Sequence, residues 1–445
     1  MEREPLTMNK PVVKRDGTIV DIQFPNTPNN IRIRAERIKE YNDNVRAEIS
    51  VFADLPAVGR RDVRINRSRT SLLDDGAKNR LISSLEMADD DILSVTWADI
   101  VNTAFDYVID AHREQSPVKH MTNLEIENIP RVPVIHPFFT KGVVNLIWSP
   151  GGTGKSMFSL YLAILASNGL SRIGISAMRS KVLYCDWEEE ENTFRNRLLA
   201  LQRGLGIEDP NYSSILWKRM TRSLPDDVDE ISRICADEGV DMIFIDSVSP
   251  ALGGSANDQE CIERFIYALR SLGEGMSSIC IDHTNKQGEL FGSSYKYARA
   301  RQVYELKQVG TYLTPTKKHV SQICLYHRKT NDTATRSAKG FEVMFHDADM
   351  EGDYSGTYTY QIDISAMSLG GSSEALAPMS IAQACIEILK SDGAMSLEKL
   401  TNRVGAGRDQ PVSESAVDNI LNNQPRHFGI TSGGLITLVY NAEEE

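Results

Sequence analysis

The feature that most constrains this chain is an eight-residue loop, Ser149-Pro150-Gly151-Gly152-Thr153-Gly154-Lys155-Ser156. It lies between an apolar run at 143–148 and a helical pattern at 155–166. The spacing G-x-x-x-x-G-K-[ST] is that of a phosphate loop. Here the Gly154-Lys155-Ser156 end is intact and Ser149 stands in the first glycine place, where a small serine can make the same turn. Glycines let the backbone wrap a phosphate, and the amides at the helix start face it. Lys155 is expected to neutralise the β- and γ-phosphates of ATP, and the Ser156 hydroxyl to hold Mg2+. All eight residues, Ser149, Pro150, Gly151, Gly152, Thr153, Gly154, Lys155 and Ser156, are therefore expected ATP contacts. The alternative is a glycine-rich turn with no ligand. The strand–loop–helix context with an intact Gly-Lys-Ser end speaks against it.

From residue 143 the pattern alternates strand and helix. Strands are expected at 143–148, 181–185, 242–245 and 277–281, and helices at 155–166, 192–204, 228–238 and 262–273. That order predicts an α/β fold with a mostly parallel sheet covered by helices. Apolar runs near 303–308, 319–327 and 357–364 would extend the sheet.

Three strand ends carry polar groups. Residues 239–247 form an apolar strand closing on Asp246-Ser247. A carboxylate there lies beside the phosphate loop in a parallel sheet, which makes Asp246 a second expected Mg2+ and ATP contact. The strand at 182–185 runs into Asp186-Trp187-Glu188-Glu189-Glu190-Glu191. A hydrolase needs a carboxylate to orient the attacking water, and one acid of this run is expected to serve. The bland alternative is a solvated helix start, where acids suit the dipole. The strand at 277–281 is followed by Asp282-His283-Thr284-Asn285-Lys286, positioned to meet a γ-phosphate.

On these residues, with Gly292-Ser293-Ser294, the segment from about 143 to 331 resembles the RepA-type hexameric helicases and related AAA-domain ATPases of the RecA superfamily. The resemblance implies a RecA-like P-loop ATPase core with ATP held between subunits of a ring. It implies Glu188 as the water-polarising acid, His283 as the γ-phosphate sensor and Arg301 as an arginine finger reaching the neighbouring subunit. Arg299, two residues away, could replace Arg301, and Arg328 with Lys329 form a second candidate pair. The segment 287–291 is short where such helicases can carry a longer DNA-facing loop, which bears on DNA contacts and not on the ATPase.

The flanks read as further domains, as 445 residues predict. Residues 1–120 are expected to form an α+β accessory domain, with strands at 12–20, 21–24, 31–41, 45–52 and 63–65 and helices at 72–85 and 97–114. Residues 121–364 are expected to hold the ATPase core, reached through a proline-rich stretch at 116–137. The Gly/Ser/Ala-rich stretch 365–378 reads as a flexible linker. Residues 379–445 read as a winged-helix domain, with helices at 381–389, 396–403 and 413–421 and a hairpin at 428–440 turning at Gly433-Gly434.

Composition limits the partners. The net charge of −12 argues against coating nucleic acid by bulk charge, but leaves room for a local basic groove. Residues 60–69 hold five arginines and one acid, and arginine forks suit phosphates. Arg64 and Arg67, with Lys286, are the expected nucleic-acid contacts. A solvated strand or a subunit contact is the alternative for the arginines. Residues 379–445 carry five Lys/Arg against nine Asp/Glu, and the third helix there has Glu414 and Asp418 and no base. Groove-reading helices offer Arg, Lys, Asn or Gln, so a protein partner is the better expectation. The six cysteines form no CxxC pair and read as core thiols in a reducing cytoplasm. The polar N-terminus and the lack of a long apolar run predict no signal peptide and no membrane span.

The expected function is an ATP-hydrolysing motor on single-stranded DNA, a homo-oligomer, most simply a hexameric ring and a helicase or translocase. The alternatives are a RecA-like recombination or repair filament, and a nucleotide-switched regulatory or defence ATPase that binds protein partners.

Overall fold

The structure is a computed structural model that describes residues 10–25, 27, 29–42, 44–56, 59–89, 95–114, 132–208, 214–284, 294–316, 318–331, 334–347 and 359–439. The chain divides into two compact units. One holds Met1–Arg131, Arg222–Asp241 and Glu263–Met276; the other holds Val132–Thr221, Met242–Ile262 and Ser277–Glu445.

The first unit begins with a five-stranded antiparallel meander: β1 Val12–Asp16, β2 Ile19–Phe24, β3 Ile31–Tyr41, β4 Asn44–Leu55 and β5 Arg60–Ser71, in that spatial order. Alternate residues of β4, Val45, Ala47, Ile49, Val51 and Ala53, are buried, as a half-solvated sheet requires. Two helices, α1 Asp75–Asp89 and α2 Trp97–Arg113, share the same core. α2 turns Trp97, Ile100, Val101, Ala104, Phe105 and Val108 inward at helical spacing. β5 is 12 residues long, where the sequence suggested only 63–65. Its pairing with β4 from Leu55↔Arg60 to Arg46↔Ser71 supplies backbone bonds that its arginine-rich composition does not advertise. At the β1–β2 turn Gly17 has φ +62°, and a Cβ there would sit 2.7 Å from the Ser271 carbonyl oxygen.

The second unit follows the chain through β6 Pro133–His136, β7 Phe139–Thr140, β8 Val144–Ser149, α3 Lys155–Asn168, β9 Ser171–Arg172, β10 Ile175–Ala177, β11 Val182–Asp186, α4 Glu191–Gly204 and β12 Ile215–Arg219. Next come α5 Leu224–Glu238, which belongs to the first unit, then β13 Met242–Asp246, α6 Val248–Ala251, α7 Gln259–Arg270, which belongs to the first unit from Glu263 onward, β14 Ser277–His283, α8 Ser294–Arg299, β15 Gln302–Leu313, β16 His319–Thr330, β17 Lys339–Asp347 and β18 Thr359–Met367. The main sheet has nine strands in the order β12-β11-β13-β14-β8-β15-β16-β17-β18. The first six run parallel, and β15 to β18 continue as an antiparallel meander. This is the expected α/β core. Every residue of β11 and β13 is buried, which is why both read as continuous apolar runs. α3 is buried at 12 of its positions and so shows no amphipathic stripe. The end of the proline-rich stretch is β6, part of a small sheet ordered β7-β6-β10-β9.

The chain ends with α9 Ser373–Leu376, α10 Ile381–Asp392, α11 Leu397–Gly405, α12 Glu414–Asn423 and a hairpin of β19 Phe428–Ile430 and β20 Ile436–Leu438. Three helices and a hairpin are thus present where the sequence placed them. The linker reading of 365–378 needs correction. β18 runs into this stretch, and Ser372 caps α9 by accepting from the Ala375 N–H at 3.1 Å. Leu369, Ala375 and Leu376 are buried against Cys324 and Tyr326 of β16, and that burial outweighs the flexibility the composition suggests. No described helix is long and apolar enough to cross a membrane.

Candidate active site

Register brings the strand ends together. Asp186 of β11 lies beside Asp246 of β13, Asp246 beside Ile281 of β14, and His283 of β14 beside Ser149 of β8. Four adjacent parallel strands therefore open their carboxyl ends on one crevice, where α/β sheets bind ligands.

The loop after β8 wraps the start of α3. Gly154 is the residue before α3, at φ +89°, and a Cβ there would meet the Met157 Cε at 3.1 Å, so glycine suits it on two counts. Ser149 is fully buried, and its hydroxyl donates to the Pro150 carbonyl at 3.1 Å, as does that of Thr153 at 2.9 Å. Lys155 Nζ donates to the carbonyls of Ser149 at 3.0 Å and Pro150 at 2.9 Å, and approaches His283 Nδ1 at 3.2 Å. Burial lowers its pKa, opposed by the charges of Asp246, Glu188 and Asp282.

Around this lysine the acids have distinct partners. Asp246 accepts from the Tyr184 hydroxyl at 2.8 Å and from Ser156; burial lifts its carboxyl to about 6 against those two bonds. Glu188 Oε1 accepts from the Ser247 hydroxyl at 2.5 Å and bonds His283 Nε2 at 3.1 Å. The His283 bond, with help from Ser247, holds Glu188 down at about 2 despite its partial burial. These contacts assign the His283 tautomer. An ammonium only donates and a carboxylate only accepts, so Nδ1 takes the Lys155 bond and Nε2 carries the proton.

The acidic run is sorted by its neighbours. Glu189 is held by Arg197 at 2.5 Å, and Glu190 is exposed beside Arg219. Glu188 alone of the three meets both Ser247 and His283. Two buried acids that the sequence named only within their runs, with no role of their own, support this geometry. Asp186 Oδ1 accepts the N–H groups of Glu188 and Glu189, both at 2.9 Å, and so aims the start of the run. Asp282 is paired with Lys296 of α8 at 2.5 Å and accepts the His283 N–H at 2.9 Å. An acid at the end of an apolar strand is the only signal either left in the sequence.

Ser156 and Asp246 are the residues that fit Mg2+. Their side chains touch, and one carboxylate with one hydroxyl suits an ion that keeps waters and shares a nucleotide's phosphates. Among the described residues no group of three or more His, Cys, Asp or Glu could hold a metal unaided.

Other expected site residues lie elsewhere. The Arg301 N–H donates to the Val144 carbonyl at 3.0 Å, at the start of β8. The phosphate loop leaves the far end of that strand, ~17 Å away at the usual strand rise. Arg301 is thus exposed and remote from its own chain's loop. Arg299 lies over the Tyr295 ring at 5.0 Å. Arg328 pairs with the buried Glu305 at 2.6 Å, and Lys329 donates to three carbonyls at the end of α8. Arg64 and Arg67 are on β5 in the other compact unit. Lys286, Asn285, Gly292, Ser293 and the segment 287–291 fall outside the described residues.

Lys155→Ala is expected to weaken Mg-ATP binding about 10²-fold, since a charged hydrogen bond to each of two phosphates is worth about 1.5 kcal/mol or more. Calorimetry giving wild-type affinity would remove the phosphate-loop assignment.

The family comparison agrees in outline. Residues 113–289 match the family described as an AAA domain, a span of less than half the chain. Among solved structures, the chain is similar to a KaiC-like protein from the hyperthermophilic archaeon Pyrococcus horikoshii OT3. The identity is 14% and the TM-score 0.34, covering 53% of this chain and 96% of that one. No curated protein matches. The AAA-domain match, the phosphate loop and the sheet order together support a P-loop ATPase with a RecA-like core.

Proposed function

We propose that this protein is an ATP-hydrolysing oligomeric motor on single-stranded DNA, built as a RepA-like ring with nucleotide between subunits. One observation carries the reading. Lys155, Glu188 and His283 form a connected array at the strand ends, while Arg301 sits a strand length from its own loop. In this reading the site gains Arg301 from a second subunit.

In this reading Lys155 exchanges its bonds to Ser149, Pro150 and His283 for phosphate oxygens, and Ser156 and Asp246 would hold Mg2+. Mg2+ bound there would neutralise charge on the phosphates. Glu188 orients a water and takes its proton as the water oxygen bonds to the γ-phosphorus and the bond to the ADP oxygen breaks. His283, released from Lys155, turns its donor toward the γ-phosphate. Glu188 then loses the bond that keeps its basicity low, so the base is armed only when nucleotide is present.

A second reading, a nucleotide-switched ATPase with a protein partner, has one observation in its favour. We read α10–α12 and the hairpin as a winged helix, and α12 presents Glu414 and Asp418 instead of bases. Steady-state ATPase assays separate the two. The motor predicts several-fold stimulation by single-stranded DNA and closed rings in electron micrographs with an ATP analogue. Turnover indifferent to DNA, with particles that remain single, would favour the switch.

A further inference from the structure

The first unit holds a second concentration of charge that the ATPase does not use. Arg46 of β4, Arg67 and Arg69 of β5 and Arg80 of α1 line one cavity of about 640 Å3 along the outer strand of the sheet. That volume is in the range of ligand pockets. Among the described residues of its lining the one carboxylate, Asp74, accepts the Ala77 N–H at 2.7 Å as the cap of α1.

What separates this cavity from its surroundings is uncompensated charge. In the neighbouring cavity, Arg32 pairs with Asp21 at 2.8 Å and with Asp62 at 2.6 Å, and Arg34 pairs with Asp237 at 2.5 Å. Those arginines hold the fold. Arg67 is likewise held by Glu48. Glu48, across from Arg69 in register, is taken by Arg67 and by Arg37 at 3.5 Å. That leaves Arg46, Arg69 and Arg80 without an ion pair among the described residues, although Arg69 also borders a second cavity lined by Glu48, Asp226, Asp227 and Asp229. Three guanidinium groups around one cavity repel each other and call for an anion.

The rest of the lining indicates which anion. Asn66 Oδ1 and Ser68 Oγ are shielded from solvent with no hydrogen-bond partner, and the Ser68 hydroxyl can donate to a phosphate oxygen. β5 is an edge strand, so alternate N–H groups face away from β4. Arginine forks, hydroxyls and backbone amides are the groups that contact sugar and phosphate. An acidic peptide would also want apolar pockets for its side chains, but Ala77 and Leu81 are already buried. Among the described residues of the lining there is no aromatic ring on which a base could stack.

We propose that Arg46, Arg69 and Arg80 hold the phosphodiester backbone of a nucleic-acid strand in this cavity, independent of its sequence. The inference rests on the DNA-motor reading above and locates where the strand is held.

The test is fluorescence anisotropy of the full chain with labelled oligo(dT) of about 20 nucleotides, longer than one site, and no ATP. The variants carry Arg46→Gln, Arg69→Gln and Arg80→Gln together, or alanine at the same three exposed positions, with circular dichroism to verify the fold. Affinity at low salt should fall at least about tenfold, and the slope of log K against log salt should shrink by about 2, the share of three phosphates on a single strand. Wild-type binding that both folded variants retain in full, slope included, would overturn the proposal and leave the DNA motor standing. Failure of the wild-type chain to bind the oligonucleotide would overturn both. Calorimetric binding of tripolyphosphate that is lost in the variants, with no oligonucleotide binding by the wild type, would reassign the cavity to a small phosphate ligand and overturn the proposal.

Discussion

Arg301→Ala is expected to lower ATP turnover about 10³-fold or more while leaving nucleotide affinity within a few-fold, the behaviour of a group that acts in the transition state. The reasoning starts from position. Arg301 is anchored through its backbone to the start of β8, at the opposite end of that strand from the phosphate loop. That anchor is about a strand length from its own phosphate loop, so in the proposed ring its effect on chemistry comes from action on a neighbour. If Arg301 makes only surface salt bridges, its loss costs at most ~1 kcal/mol. Arg328 and Lys329 have tasks within the chain, at Glu305 and at the end of α8, so their substitution should disturb folding before catalysis. Mixing separates the cases. An Arg301→Ala subunit keeps a working loop, and a Lys155→Ala subunit keeps a working arginine. Each alone should be inactive, and a mixture should regain activity at interfaces where the intact loop meets the intact arginine. No rescue in subunits shown to co-assemble would count against a shared site.

Glu188→Gln should reduce turnover by roughly 10²–10⁴, with ATP still bound. The amide keeps the shape and can still accept from Ser247, but it cannot take a proton from water. Glu189→Gln is the matched control. Glu189 is engaged by Arg197, so its neutralisation should leave turnover within a few-fold of wild type. Single-turnover kinetics with both variants checks the assignment. A normal rate in Glu188→Gln with loss in Glu189→Gln would move the water-orienting acid by one residue.

The sequence alone determined the phosphate loop and the strands around it, for local reasons. Only a narrow spacing of Gly, Lys and Ser lets a backbone wrap a phosphate. Strands buried on both faces must be continuous apolar runs, so 143–148, 181–185, 242–245 and 277–281 were legible without partners, and their polar ends named Asp246 and His283. Tertiary structure decided everything that depends on residues distant in the chain. Glu188 stands apart from Glu189 only because Ser247 and His283 arrive from two other strands. Asp186 and Asp282 are acids within polar runs in the sequence, and their partners Trp217 and Lys296 come from other elements. The stretch 365–378 has the composition of a linker, and burial against β16 orders it. The arginines of 60–69 look alike in sequence. Pairing with Glu48 commits Arg67, while Arg69 is left facing a cavity beside Arg46 and Arg80. Charge is written in the sequence, but whether a charge is neutralised depends on its neighbours in space, and folding sets those neighbours.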